Sequence, residues 1–506
     1  MNQPVRKILV VGGGTAGWMA ALHLQHCWAE RGIGITVVES ARIGTVGVGE
    51  GTTPLIKEFF DRLDIPESEW MPECNATYKC GISFPGWSTM PGFESYFHPF
   101  FSELDKAHVN HFWDNCNLRR GGHDVPAHPD PYFVSAAMVR QYRCPISQTP
   151  GTPNGVYGYH FDAALMGQYF KKKAIEMGVE FIEDTIVEVR QNEQGDIAGV
   201  QTENHGELQA DFFVDCSGFR GLLIQQTLGE ELVSMREYMF NDAAVAMPTP
   251  IHDRAKLPSE TVSAALRHGW MWRIPLMSRM GNGYVFSTDY VSPAEAEAEF
   301  RAALGAEAEG VDALHLKWRP ARLQHHWSHN CVAVGLSQGF LEPLEALMIN
   351  VIQRTLEGFT DAAESDDFGP RWRERFNNYV NSFVDGIRDY LQLHYKLNTR
   401  TDSQYWIDAR ENPHMSDHLA TILGAWDDGR DFDRVLYDHI NQQVYPRTSW
   451  YCMLAGMGRF PEARKGSLRL PSRQQKRAAQ ASEASAAQFW NHSEYLQKVY
   501  GEQKGL

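Results

Sequence analysis

Residues 12–17 read Gly-Gly-Gly-Thr-Ala-Gly, and their spacing is that of a phosphate cradle. In a GxGxxG reading, Gly12 permits the tight turn, Gly14 lets backbone approach a pyrophosphate, and Gly17 allows a helix to close on a strand. Thr15 and Ala16 open that helix, whose free N–H groups and positive dipole end face the anion. Glu39, at the end of a second apolar run, is placed to bind ribose hydroxyls. The same glycine string also makes tight turns that bind nothing, so its setting decides. Two later segments repeat the theme. Residues 210–221 (ADFFVDCSGFRG) put Asp215 and Gly218 at a strand end, and residues 330–343 (NCVAVGLSQGFLEP) put Leu336 in a glycine-bearing turn. Three such passes of backbone in this order favour an extended FAD. No second GxGxxG in a βαβ setting offers a site for NAD(P)H.

The elements that position these residues follow from hydrophobic pattern. Residues 7–12 are a short apolar run ending in glycine, read as a buried parallel strand. Ala20, Leu24, Cys27 and Trp28 recur at helical spacing over residues 15–31, with Gly32 as the stop. Residues 34–39 are β-branched and apolar, which completes a βαβ unit. Farther on, residues 163–178 read as an amphipathic helix ended by Gly178, and 179–190 as one strand. Residues 193–214 read as a hairpin closing on ADFFVD. Residues 261–290 are expected to be β-rich, and 294–304, 345–360 and 371–395 helical. The stretch 464–486 is expected to run from a loop into a surface helix. The domain expectation is a large unit over 1–395 and a mainly helical module over 396–506 that covers the substrate site.

The composition is that of a folded protein. The chain has 506 residues, 43% hydrophobic, 22% charged and 12% aromatic, enough for two to four structural units of ordinary size. Its net charge of -16 disfavours nucleic acid and anionic membrane surfaces. No apolar run is long enough for a membrane span, and the N-terminal residues show no charged-then-apolar leader with a cleavage site. The eight cysteines form no CxxC pair and no zinc spacing, so reduced thiols and a cytoplasmic location are expected, with no metal.

Several segments together resemble the flavin-dependent tryptophan halogenase family. VVGGGTAGWMAA is similar to that family's opening, and GVGEGTTP, with Gly49 and Glu50, resembles its flavin-facing loop. Lys79 in ATYKCG stands where the family keeps a catalytic lysine. WMWRIP, with Trp270, Trp272, Ile274 and Pro275, matches its WxWxIP signature. FLEPLE ends in Glu345, the position of the family's catalytic glutamate.

The resemblance implies an α/β fold, with a Rossmann-like (GR2/monooxygenase-like) FAD unit and associated β-sheet. It implies reduced FAD, delivered by a separate NAD(P)H-dependent flavin reductase, which with oxygen and a halide ion yields hypohalous acid. Lys79 and Glu345 then act on a small, electron-rich aromatic such as indole. His98 and Phe100 are expected to stack the substrate ring, and the chain to be a monomer or homodimer. A lysine amine suits this chemistry because it can hydrogen-bond hypohalous acid or become a haloamine, while a carboxylate takes the ring proton. Taken alone, Lys79 reads as a surface lysine, Glu345 as a helix-start acid, and the two tryptophans as core side chains.

The sequence departs from the family after Glu345. Ser-Thr-Gly is expected there, and its turn holds the halide; Ala346, Leu347 and Met348 stand instead. Should the glycine's position need a positive φ, Met348 would be strained; otherwise the turn has changed shape or the helix begins earlier. Free N–H groups at a helix start still suit an anion. The apolar Leu347 and Met348 favour bromide over chloride. The alternative is a flavin monooxygenase or dehydrogenase on the same scaffold that has lost halide oxidation. Arg447 and Arg459 are the residues able to hold an amino acid's charges, or else are plain solvated arginines, so indole is favoured over free tryptophan.

Overall fold

The computed structural model describes residues 5–42, 44, 49–439, 444–467 and 473–502. The opening strand, Lys7–Val11, is buried along its apolar length, because both faces of a parallel sheet are covered. It pairs in parallel with Gly34–Glu39 on one side and Phe212–Asp215 on the other. Glu180–Glu183 and Cys331–Ala333 extend the sheet in parallel, and Trp327–Ser328 closes one edge antiparallel. From the opening strand the chain turns to opposite sides of the sheet. The crevice at that reversal, at the carboxyl ends of the strands, is where α/β folds bind dinucleotides.

Thr15–Trp28 is the helix of the first βαβ unit, and Gly32, at φ 68°, terminates the 3-10 turn that follows it. Ala163–Glu176 packs beside this helix, with Asp162 capping its N-terminus through the N–H groups of Ala164 and Leu165. Two of the sequence expectations are corrected here. Residues 179–190 are two strands: Glu180–Glu183 stays in the parallel sheet, whereas Ile186–Gln191 leaves it. The hairpin pairs Ile186–Gln191 with Ile197–Thr202, and Phe212–Asp215 returns to the parallel sheet. Alternation of side chains shows that a segment is extended but not which sheet receives it.

A seven-stranded sheet stands beside the parallel sheet. Its strands in order are Leu314–Lys317, Ala243–Thr249, Met280–Phe286, Gly269–Pro275, Thr261–Leu266, Gly81–Ser83 and Phe97–Pro99. The expected β-rich stretch 261–290 supplies its centre. A small sheet sets Gly158–Asp162 between Gly49–Gly51 and Thr77–Lys79. The long helices Met348–Asp366 and Arg373–Leu397 then bring distant chain back to this region. The main apolar core runs unbroken from Ile8 to Val499. Arg473–Ala486 is a helix as expected, and Ala478, Ser482 and Ala486 on it are buried; residues 468–472, within the low-complexity stretch, lie outside the described residues. Among the described residues, no helix is long and apolar enough to cross a membrane.

Candidate active site

The cradle at Gly12–Gly17 is built of backbone. Gly12 has φ 111°, and a Cβ there would lie 2.3 Å from the Cys216 carbonyl oxygen; at Gly17 it would lie 1.9 Å from the Gly12 carbonyl oxygen. At Gly14 a Cβ would meet nothing within 4 Å, which leaves the approach open to a phosphate. Gly14 caps the helix without a side chain, and the first turn carries no acid, so the N–H groups of Thr15, Ala16 and Gly17 lack intrahelical partners. Glu39 reaches over Gly13 and is held by Lys171 at 3.1 Å.

The Asp215 carboxylate is spent inside the protein. It accepts hydrogen bonds from Ser217 N (2.9 Å), Ser217 Oγ (2.6 Å), Leu223 N (2.8 Å) and Ile224 N (2.8 Å), and so shapes the turn that carries Gly218 at φ 68°. Leu336 sits in the turn after Cys331–Ala333, where Gly335 packs on Ala16. These features fit the pyrophosphate, ribose and backbone contacts of FAD. Of the GVGEGTTP segment, Gly49 and Glu50 pair with Asp162 and Phe161; Gly47 and Val48 lie outside the described residues. Burial and the nearby Asp162 carboxylate raise the Glu50 carboxyl to about 7.

Lys79 and Glu345, 266 positions apart in sequence, are both buried and close enough to shift each other's charge. Lys79 ends Thr77–Lys79, and its Nζ is fully buried without a hydrogen-bond partner. Burial pushes the amine down to about 8, against the opposing pull of Glu345. Glu345 lies between two imidazoles, with His394 Nε2 3.1 Å from Oε1 and His98 Nδ1 3.6 Å from Oε2. Burial alone would raise this carboxyl; His98, His394 and Lys79 together hold it below the ordinary carboxylate value. His98 occupies the edge strand Phe97–Pro99, and its Nε2 lies 3.1 Å from the Tyr390 hydroxyl. Phe100 follows that strand, its ring centroid 5.7 Å from Lys79 Nζ. Trp270 and Trp272 are buried on the Gly269–Pro275 strand with ring centroids 6.2 Å apart, and Trp272 packs over Gly283.

The turn after Glu345 differs from expectation in a definite way. The helix starts at Met348, so Met348 is helical and not among the positive-φ residues. The left-handed conformations fall instead on Glu345 (φ 68°) and Ala346 (φ 54°), an uncommon geometry for residues with a Cβ. Ala346 N donates to the Pro343 carbonyl, and the first-turn N–H groups of the helix have no intrahelical partners. Leu347 and Met348 line an apolar recess with Phe340, Leu341 and Val351. Arg447 pairs with Asp433 (2.8 Å) and lies over the Trp113 ring, and Arg459 grips Asp427 through two hydrogen bonds. Both guanidinium groups are thus committed within the protein.

His394 and Tyr390 escaped the sequence reading. They stand four apart on one helix, a spacing that puts both on one face, but nothing local says that this face meets Glu345. The Nδ1 of His394 faces the Tyr390 carbonyl at 3.2 Å and must donate to it, which leaves Nε2 toward Glu345. Tyr390 also stacks on Tyr445 (centroids 3.5 Å apart) and meets Trp450 edge-on. The chain beyond residue 396 therefore reaches this cluster.

A profile of the tryptophan halogenase family matches residues 7–472. The chain belongs to the tryptophan halogenase family. It is 36% identical to the 7-chloro-L-tryptophan 6-halogenase KtzR of Kutzneria sp. (strain 744), over 98% of this chain and 99% of that protein. It is 38% identical to the tryptophan 6-halogenase SttH of Streptomyces toxytricini, over 83% of each. The crystal structure of SttH superposes with a TM-score of 0.85 at 34% identity, covering 98% of this chain and 99% of that one. BrvH, a flavin-dependent halogenase from Brevundimonas sp. BAL3, superposes with a TM-score of 0.82 at 29% identity, covering 98% and 99%. As a tryptophan halogenase family member, the protein is a flavin-dependent halogenating enzyme that uses FAD and halide, and its mixed α/β architecture is that of the flavin halogenases.

Proposed function

We propose that this halogenase is a two-component enzyme that receives reduced FAD from a separate NAD(P)H-dependent flavin reductase and halogenates an electron-rich aromatic such as indole. The observation that carries the reading is the buried Lys79 amine, which has no hydrogen-bond partner and lies within electrostatic reach of the buried Glu345 carboxylate. Gly12, Gly14, Thr15, Ala16, Gly17, Glu39, Gly49, Glu50, Asp215, Gly218 and Leu336 hold or shape the FAD site. Bound reduced FAD, with oxygen and halide, supplies hypohalous acid. Lys79 holds this oxidant beside the substrate ring through its N–H groups. Glu345, kept ionised by His98, His394 and Lys79, takes the proton that the ring loses as carbon–halogen bond replaces carbon–hydrogen bond. His394, fixed by the Tyr390 carbonyl, steadies that charge. Phe100 and His98 supply the wall on which the ring rests.

Two finer features belong to the same reading. The apolar Leu347–Met348 wall favours bromide, the larger and less strongly hydrated ion, over chloride. Commitment of Arg447 and Arg459 to aspartates favours a neutral indole over the charged termini of free tryptophan. The test is incubation with FAD, flavin reductase, NADH, oxygen and either indole or tryptophan, with bromide and chloride competing at equal concentration. Mass spectrometry should find a brominated indole that is absent with Lys79→Ala. Chloride incorporation in excess would refute the halide assignment. Hydroxylated or desaturated product without halogen would favour the monooxygenase or dehydrogenase alternative.

A further inference from the structure

A second polar group, the Thr261 hydroxyl, lies beside Gly51 as the Lys79 amine does, and the hydrogen bonds around it fix its orientation. In the small sheet, His160 lies in register with Gly51 on one neighbouring strand and Thr77 on the other. Thr77 Oγ1 lies 2.6 Å from the Pro275 carbonyl oxygen, within the WMWRIP segment. A carbonyl only accepts, so the single Thr77 proton is donated there. The contact between Thr77 Oγ1 and His160 Nδ1 (3.1 Å) must then be donated by His160. Burial, Lys79 and His492 hold the imidazole well below its ordinary value, so it is neutral and its Nε2 carries a lone pair. Nε2 lies 2.9 Å from Thr261 Oγ1, and the Thr261 proton must go to it.

The Thr261 hydroxyl is therefore left with lone pairs only. A Cβ added at Gly51 would lie 3.2 Å from Lys79 Nζ, 3.3 Å from Thr261 Oγ1 and 3.5 Å from Ala346 Cβ. The bare Gly51 Cα thus brings together an unpartnered buried amine, a hydroxyl oriented as an acceptor, and the residue after Glu345. The Lys79 and Thr261 side chains are both buried.

We propose that Thr261 is a catalytic residue of halogen transfer, accepting the O–H of hypohalous acid while Lys79 donates an N–H to its oxygen, with Thr77 and His160 as positioning residues. This rests on the function proposed above. A molecule held at its oxygen by one donor and at its hydrogen by one acceptor points its halogen in a single direction. In the transfer the oxygen–halogen bond breaks and a carbon–halogen bond forms. The ring proton leaves to Glu345, and the hydroxide equivalent becomes water on receiving it. Pro275, at the end of the WMWRIP segment, anchors the relay.

The test compares Thr261→Val, Thr261→Ser and Gly51→Ala with the unchanged enzyme, each loaded with FAD and supplied by reductase. Halogenated product per reduced FAD consumed is measured, alongside hypohalous acid caught by an external trap. Thr261→Val should bind FAD normally, lose roughly 10–100-fold in product and release oxidant to the trap. Thr261→Ser, which keeps the hydroxyl, should return to within a few-fold of the unchanged enzyme, a rescue that a packing role would not predict. Gly51→Ala, whose backbone is unstrained, should lose product by crowding the same point. No halogenation by the unchanged enzyme would overturn the function itself. An active enzyme indifferent to Thr261→Val, or a Ser variant as poor as Val, would overturn only the role of Thr261.

Discussion

The two halves of the proposed catalytic apparatus are built on opposite principles. The proposed FAD cradle is made of backbone over a few consecutive residues, and packing alone demands the absence of side chains at Gly12, Gly13 and Gly17. The proposed halogen-transfer site is made of side chains from segments hundreds of residues apart, and Lys79, His98, Glu345, Tyr390 and His394 are all buried. Two glutamates show the contrast. Glu50, beside the Asp162 carboxylate, is raised by burial and like charge, whereas Glu345, despite its burial, is held down by two imidazoles and an amine. Burial sets the stakes, and the sign of the neighbouring charge decides which protonation state prevails.

The contrast can be broken from either side. Lys79→Ala should abolish halogenated product, a loss of roughly 1,000-fold or more, while FAD binding by fluorescence quenching stays intact. Loss of FAD in this variant would show that cradle and transfer site are not separable. Gly12→Ala should do the reverse. Its new methyl meets the Cys216 carbonyl at 2.3 Å in a left-handed conformation, so FAD affinity should fall about 100-fold or more. Unchanged FAD affinity would remove the cradle from its assigned place.

A milder lesion tests the transfer site. His394→Asn should cut turnover about 10- to 100-fold and move the acid limb of the pH profile upward, because Glu345 loses one of the neighbours that favour its ionised form. An unmoved acid limb would leave His394 a packing residue.

Glu50 gives the opposite sign. Its folded value of about 7 exceeds its ordinary 4.5, so the folded protein binds the proton more tightly than the unfolded chain. Its contribution is fully present below pH 4.5 and is lost as pH rises through 7. For the FAD-free protein this is worth up to about 3 kcal/mol. Denaturant melts of Glu50→Gln should lack that decline between pH 5 and 7.5, and parallel pH curves for the two proteins would sink the assignment. The smallest effect is expected at the halide turn: Met348→Thr should shift the bromide-to-chloride product ratio toward chloride by only a few-fold, since the N–H groups of the helix start remain. An unaltered ratio would take Met348 out of halide selection.

What was legible in sequence divides along the same line. The strand–glycine–helix unit at Lys7–Glu39 could be read directly, because period, glycine spacing and helix stop lie within one window. The segment 179–190 was misread as a single strand, since alternation over residues 180–191 does not reveal a switch between sheets. Lys79 and Glu345 were found through family resemblance, whereas His394, Tyr390, His160 and Thr261 were not found at all. A histidine or threonine inside an apolar pattern carries no mark of what it will face.

By itself, then, the sequence determined the cradle, the acidic and globular character of the chain, and the helices and strands whose periodicity is strong. Only the tertiary structure decided that Lys79 would be buried without a partner, that Glu345 would sit in a left-handed turn between two histidines, and that the Thr261 hydroxyl would lie against His160. The reason is physical. Phosphate binding by backbone depends on local conformation, which neighbouring residues dictate. The pKa and hydrogen-bond direction of a buried side chain depend on desolvation and on partners that arrive only when distant elements pack.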